Sequence, residues 1–142
     1  MGESMSDNGK NFSNWEGEAF EQMLFDYLDN GYLENIITFF EHEPEQLSLI
    51  PKMLSDERLR LKVGAFAIIE ELKEKNAEAL KSIVPSLIEL LNSPEKNIRG
   101  DAAYALEIIA DVDAKPALIK ALKKEQDPQV KEFIEDAIKK LQ

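Results

Sequence analysis

Residues Val84 to Ile109 read VPSLIELLNSPEKNIRGDAAYALEII, two short apolar-periodic stretches joined by the breaker Asn92-Ser93-Pro94. In the second stretch Ile98, Ala102, Ala105, Leu106 and Ile109 recur at spacings of four, three, one and three. At about 100° per residue they fall on one stripe of a helix, whereas a strand would alternate every second residue. Leu87, Leu90 and Leu91 make the stripe of the first stretch, with Val84 one turn earlier. Pro94 cannot continue a helix. The unit reads as two helices folded back antiparallel over a tight connection. Asp101 and Glu107 lie off the stripe and are expected on a solvated face.

A single helix pair has too little core to seal its own stripes, and stacked copies solve that problem. The chain holds such copies. Downstream, Pro116 to Leu122 (PALIKAL) matches Pro85 to Leu91 (PSLIELL) at a shift of 31. After the turn the shift is 32, and Val130, Ile134, Ala137, Ile138 and Leu141 fall on the five stripe positions. Upstream, at a shift of 37, Leu61, Ala65, Ile68, Ile69 and Leu72 fall on the same five. Ile50, Met53 and Leu54 then fall on Leu87, Leu90 and Leu91. Any two amphipathic helices align at some shift, but three stripes in register are more than that. The prolines Pro85 and Pro116 and the bases Lys62, Arg99 and Lys131, each following the first stripe residue, strengthen the repeat.

The run Pro85 to Leu91, then Ile98-Arg99, then Ala102 to Leu106 (AAYAL) resembles a HEAT repeat. The short shift of 31–32 is similar to the variety first noted in phycobilin lyases, and Asp127-Pro128 with Val130-Lys131 is close to that family's turn. The resemblance covers Pro44 to Gln142. It departs in the first unit, where Pro51 stands three places off the Pro85 register and Phe66 occupies the position of Ala103. It implies an all-α fold, an α-solenoid of antiparallel helix pairs in a right-handed superhelical stack. It implies a binding surface and no reaction.

At 142 residues one domain is the default expectation. Residues 1–14 are polar and read as a disordered tail. Residues 15–142 read as one helical-repeat domain, with a non-repeat pair over 15–43 and repeats over 44–76, 77–113 and 114–142. In the pair, Phe20, Met23, Leu24, Tyr27 and Leu28 form one stripe before the helix stop Asn30-Gly31. Leu33, Ile36, Ile37 and Phe40 form the other. Asp56 and Asp113 are the expected N-caps of the helices that follow them, and Pro51 predicts a kink or a late start. About eight helices and no strand are expected in all.

With no cysteine there is neither a disulfide framework nor thiolate chemistry. No run reaches the roughly 20 apolar residues of a membrane span, and MGESMSDNGK lacks a signal-peptide pattern. A soluble cytoplasmic protein with no membrane association is expected. The net charge is −11, of which residues 1–44, with ten acids and one base, hold −9. Such a chain repels phosphate, which excludes nucleic acid as the expected partner. This also separates it from DNA-repair glycosylases built of HEAT-like helices.

His42 is the only histidine, and Glu41 and Glu43 do not share its helix face, so no metal site is expected. Deoxyhypusine hydroxylase, also HEAT-like, holds iron through His-Glu pairs on several helices. Here only His42-Glu43 occurs, outside the repeats, so the resemblance does not carry that activity over. No catalytic residue and no cofactor is expected, and Glu70/Glu71 and Glu135/Asp136 read as solvated faces.

What remains is a surface. The resemblance implies that the second helices of the pairs line the concave side. Just off their buried stripes stand Lys62, Phe66 and Glu70, then Arg99, Tyr104 and Glu107, with Lys131 and Lys139 at the matching downstream positions. Phe66 and Tyr104 are the leading candidates, because aromatics dominate interface energies; packing between helices is the alternative for both. Glu34 and Glu41 mark a second candidate, since acid and aromatics are concentrated together in residues 1–44. That combination suits a basic, partly apolar protein segment. The favoured reading is a non-catalytic protein-binding or scaffold module. The other is an accessory subunit of an enzyme or a chromophore-lyase-like protein, which would need a ligand-sized pocket.

Overall fold

The stripes seal against one another as the periodicity demands. The structure, a computed structural model, describes residues 17–142; Trp15 and the polar tail lie outside the described residues. Helices α1 (Glu18–Asp29) and α2 (Leu33–His42) precede the repeats. In the first repeat a 3-10 turn (Pro44–Leu49) runs into α3 (Ile50–Leu54), and α4 (Leu59–Lys75) follows. In the second, α5 (Ala77–Leu80) and a 3-10 turn (Lys81–Ile83) lead into α6 (Val84–Leu90), and α7 (Lys96–Ile109) follows. A 3-10 turn (Val112–Ala114), α8 (Lys115–Lys124) and α9 (Pro128–Lys140) complete the array. Taken as continuous helical segments these are eight, with no strand among the described residues.

All five stripe positions of α4 and all five of α7 are buried. In α9 Val130, Ile134 and Ala137 are buried, while Ile138 and, just past the helix, Leu141 are half-exposed. Helix α7 packs on α4 and, most extensively, on α9. Its buried Gly100, Ala102, Ala103 and Ala105 keep its surface low there. A Cβ on Gly100 would stand 3.3 Å from the Phe133 ring. On the other side α1 and α2 both pack on α4, and Leu24, Phe25, Leu28, Ile36 and Phe40 join the same core. Leu28 comes so close that a Cβ on Gly64 would lie 2.7 Å from its Cδ2. The α1 stripe is narrower than its sequence suggests. Met23 and Tyr27 are exposed, because among the described residues α1 packs chiefly on α2 and α4, and the Tyr27 ring instead stacks on Tyr32 at 4.3 Å.

Prolines set where the first helices begin. Pro51, Pro85 and Pro116 each stand second in α3, α6 and α8, directly after a 3-10 turn. There the missing N–H costs nothing, since helix starts leave their first donors unpaired anyway. Pro51 thus gives a late start, and the three prolines coincide by helix start. Of the three-residue offset between Pro51 and Pro85, two residues are helix length, α3 having five residues and α6 seven, and one lies in the connection that follows.

Two caps differ from expectation. The cap position of α4 is Arg58, and Asp56 instead accepts from the Arg58 backbone N–H and its Nε in the turn before it. Asp111, not Asp113, accepts the capping bond, from the Asp113 N–H. In both cases the aspartate two residues ahead closes a local turn rather than capping the α-helix itself. Asp127 is a true N-cap, accepting from Gln129 and Val130 at 3.0 Å. At the end of α7, Ala110 adopts the left-handed conformation with φ 57°. The Lys73 ammonium, reaching across from α4, donates to the Ile109 carbonyl at 2.6 Å and satisfies an acceptor left open there.

One buried charge pair fastens the last two repeats. Glu125, 7% exposed, lies in the α8–α9 turn and takes a bidentate bond from Arg99 of α7, at 2.8 and 2.9 Å. The Arg99 guanidinium beside it holds the Glu125 carboxyl below its ordinary value of 4.5, against the opposing effect of burial.

Leu106→Ala should lower stability by roughly 2–5 kcal/mol through lost burial and a cavity, whereas Glu107→Ala should stay within about 0.5 kcal/mol. Equal denaturation midpoints would contradict the register. Glu125→Gln leaves Arg99 without its counter-charge and should cost about 3 kcal/mol at neutral pH. Because the folded pKa is depressed, the pair's contribution is present above the ordinary value of 4.5 and is lost as pH falls through the lower folded value. Acid titrations of stability should therefore show a wild-type loss below that value that is diminished in the variant. Ala110→Gly should raise the melting temperature, by relieving up to about 1 kcal/mol of left-handed strain.

Candidate protein-binding face

Helices α4, α7 and α9 lie side by side, and their outward residues form one face. The central feature of the face is a ladder of rings. Phe66 of α4 meets Tyr104 of α7 edge-on at 5.1 Å, and Tyr104 meets Phe133 of α9 at 6.3 Å. Phe66 and Phe133 are half-buried against the core, while Tyr104 remains 37% exposed. The rings pack between helices, and Tyr104 still presents ring surface to solvent. Offset and edge contacts of this kind hold rings in place by about 0.5–1.5 kcal/mol each.

The charged candidates divide. Lys62 does not point free into solvent; its ammonium lies 3.4 Å from Asp101 of α7. Asp101, expected on a solvated face, is only 30% exposed in its side chain. Burial raises its pKa, with Lys62 acting in the opposite direction. Arg99 is occupied within the chain: besides Glu125, its Nη1 donates to the carbonyls of Ser93 and Pro94. Glu70 is exposed and Glu107 half-buried. Lys131 and Lys139 are exposed on α9.

The second candidate region lies apart, on α2. Glu34 and Glu41 border a shallow concavity with Ile37, Thr38, Glu71 and Lys75. The Lys75 ammonium sits 2.9 Å from both Glu41 and Glu71, and these two carboxylates push its pKa up. Glu34 is the freer acid of the pair named from sequence, since Glu41 already has a counter-charge.

Three residues of the face were not singled out from sequence: Phe133, Leu59 and Val63. Phe133 stands at the position of Asp101 when α9 is shifted by 32, so a search for equivalent residues passes over it. Leu59 and Val63 are 73% and 56% exposed. Their signal was present in the spacing Leu59, Val63, Phe66, a second apolar stripe on the side of α4 away from the buried one.

Few groups here are arranged for chemistry. His42 is exposed at the end of α2, with its Nδ1 3.1 Å from the Thr38 carbonyl. Among the described residues no cluster of three or more His, Cys, Asp or Glu could hold a metal ion. Glu43 and Glu45 share a hydrogen bond that raises the first pKa and lowers the second. A concavity of about 300 Å³ opens between α7 and α9, lined in part by Lys62, Asp101, Asp127 and Phe133. No described helix is long and apolar enough to cross a membrane.

No significant match was found among curated proteins or among solved structures. The family profile for HEAT repeats matches residues 44–139, more than half of the chain, from the 3-10 turn before α3 to the penultimate residue of α9. With stacked antiparallel helix pairs, a shared core and that match over residues 44–139, the chain belongs to the HEAT-repeat family.

Proposed function

We propose that this chain is a non-catalytic protein-binding module whose recognition surface is the outward face of α4, α7 and α9. The observation that carries the reading is the Phe66–Tyr104–Phe133 ladder, anchored in the core yet open at Tyr104. Aromatic side chains fixed in position give contact area at low entropic cost, which is why they recur at interface hot spots. Membership of a family of repeat modules supports a protein partner in general terms. Of the residues named from sequence, Phe66, Tyr104, Glu70 and Glu107 suit this role. Lys62 and Arg99 serve it by position, since their charges are engaged within the chain.

A basic partner is part of the proposal, because Glu70 and Glu107 on this face have no ion-pair partner among the described residues. The region around Glu34 and Glu41 is the other place where such a partner would act. The short downstream repeat shift of 31–32, similar to that of phycobilin-lyase-type repeats, favours one second reading, an enzyme-associated or lyase-like role. A small molecule would then occupy the concavity between α7 and α9.

Affinity capture from native extract, followed by titration of the captured protein, tests the choice. Tyr104→Ala should weaken binding by about tenfold or more while leaving the circular dichroism spectrum unchanged. Charge reversal at Glu34 and Glu41 should chiefly slow association if the α2 region contributes. Binding indifferent to Tyr104→Ala but slowed by the reversals moves the site to α2. A captured small molecule with no protein partner would favour the lyase-like reading.

A further inference from the structure

Helix α4 carries two apolar stripes. Leu61, Ala65, Ile68, Ile69 and Leu72 are sealed in the core. Leu59, Val63 and Phe66, followed by Glu70, recur at spacings of four, three and four. This is the spacing of a seam at which a second helix sets its side chains into the gaps of the first. Within the described structure the seam has no such helix: Leu59 is 73% and Val63 56% exposed, and Phe66 leads directly to the open Tyr104 ring. Single apolar residues on a surface are ordinary, but three in helical register beside an exposed ring form a continuous patch.

The two ends of the seam differ in charge. Near Leu59, Arg58 is neutralised by Asp26 and Asp56, and Arg60 donates to the Asp29 carbonyl. Lys62 is matched by Asp101. At the other end Glu70 is exposed, Glu107 occupies the equivalent position on α7, and neither has an ion-pair partner among the described residues. The seam is thus apolar along its length and acidic at one end.

We infer that this stripe receives one amphipathic helix of a separate protein. Its apolar residues would repeat at three-four spacing, and its Lys or Arg residues would cluster at the end meeting Glu70 and Glu107. The inference rests on the protein-binding role and specifies its partner. Charge decides among occupants. A second copy paired antiparallel would set Glu70 against Leu59 and bring together two chains of net charge −11. The first sixteen residues of the chain, with three acids and one base, offer no basic complement.

The test uses the full chain and two fluorescein-labelled helical peptides of about three turns, with Leu at the seam positions. One ends in a Lys cluster and the other in a Glu cluster. The Lys peptide should bind saturably and the Glu peptide weakly. Leu59→Glu with Val63→Glu should reduce Lys-peptide affinity by about tenfold or more, although it makes the protein more acidic. Glu70→Lys should weaken the Lys peptide and improve the Glu peptide. Circular dichroism and melting temperature confirm that each variant folds. Unchanged or tighter binding by the double variant would overturn the inference, because general charge attraction then suffices. So would a wild-type dimer, seen in sedimentation, that the double variant dissociates. Loss of the captured partner on Tyr104→Ala, with the double variant still binding it, would overturn the seam while preserving the protein-binding face. Insensitivity to both would overturn that face as well.

Discussion

Every second helix of this fold has a stripe too wide for its own partner to cover, so each repeat depends on its neighbours. Helix α7 shows the dependence most fully. It is pressed between α4 and α9, and its small residues Gly100, Ala102, Ala103 and Ala105 are all buried. Small side chains let the Phe133 ring approach α7 closely. The same demand at the array's start is met by α1 and α2, which bring Leu28 onto Gly64 of α4. At the far end it is not met, and Ile138 and Leu141 stay half-exposed.

Sealing the stripes also determines what the outward face can offer. Two ion pairs, Lys62 to Asp101 and Arg99 to Glu125, and the hydrogen bond from Lys73 to the end of α7 bridge between elements. These contacts fix neighbouring helices in register but remove cations from the surface. What they leave outward on α4 and α7 is apolar surface and acid, Leu59, Val63, the open Tyr104 ring, Glu70 and Glu107, with the cations Lys131 and Lys139 exposed on α9. A face of that composition favours a partner that is apolar and basic together.

Much of this architecture was legible in the sequence because period and burial are directly linked. The five stripe positions found at shifts of 37 and 32 are the buried positions of α4 and α7 and the inner positions of α9. The site was less legible. Equivalence between repeats points to Lys62, Arg99 and Lys131 as a row, yet a charge's role depends on what lies across the interface. Glu125, which binds Arg99, has no counterpart signal in sequence. Asp101 looked solvated because it lies off the stripe, but the flank of a stacked helix faces another helix, not water. The aspartates before α4 and α8 failed as helix caps for a similar reason: the residue type predicts a turn, and geometry decides which N–H it reaches.

The central claim is that stability is shared through neighbours, with α7 held from both sides. Native-state hydrogen exchange on the full chain tests it most directly, since protection reports the local opening energy of each helix. Amides in the middle of α7, around Ala102 to Leu106, should be the slowest to exchange. Those of α1 and of the last turn of α9 should be among the fastest. Exchange in α7 as rapid as in the end of α9 would show that the repeats do not support one another, and would contradict the account.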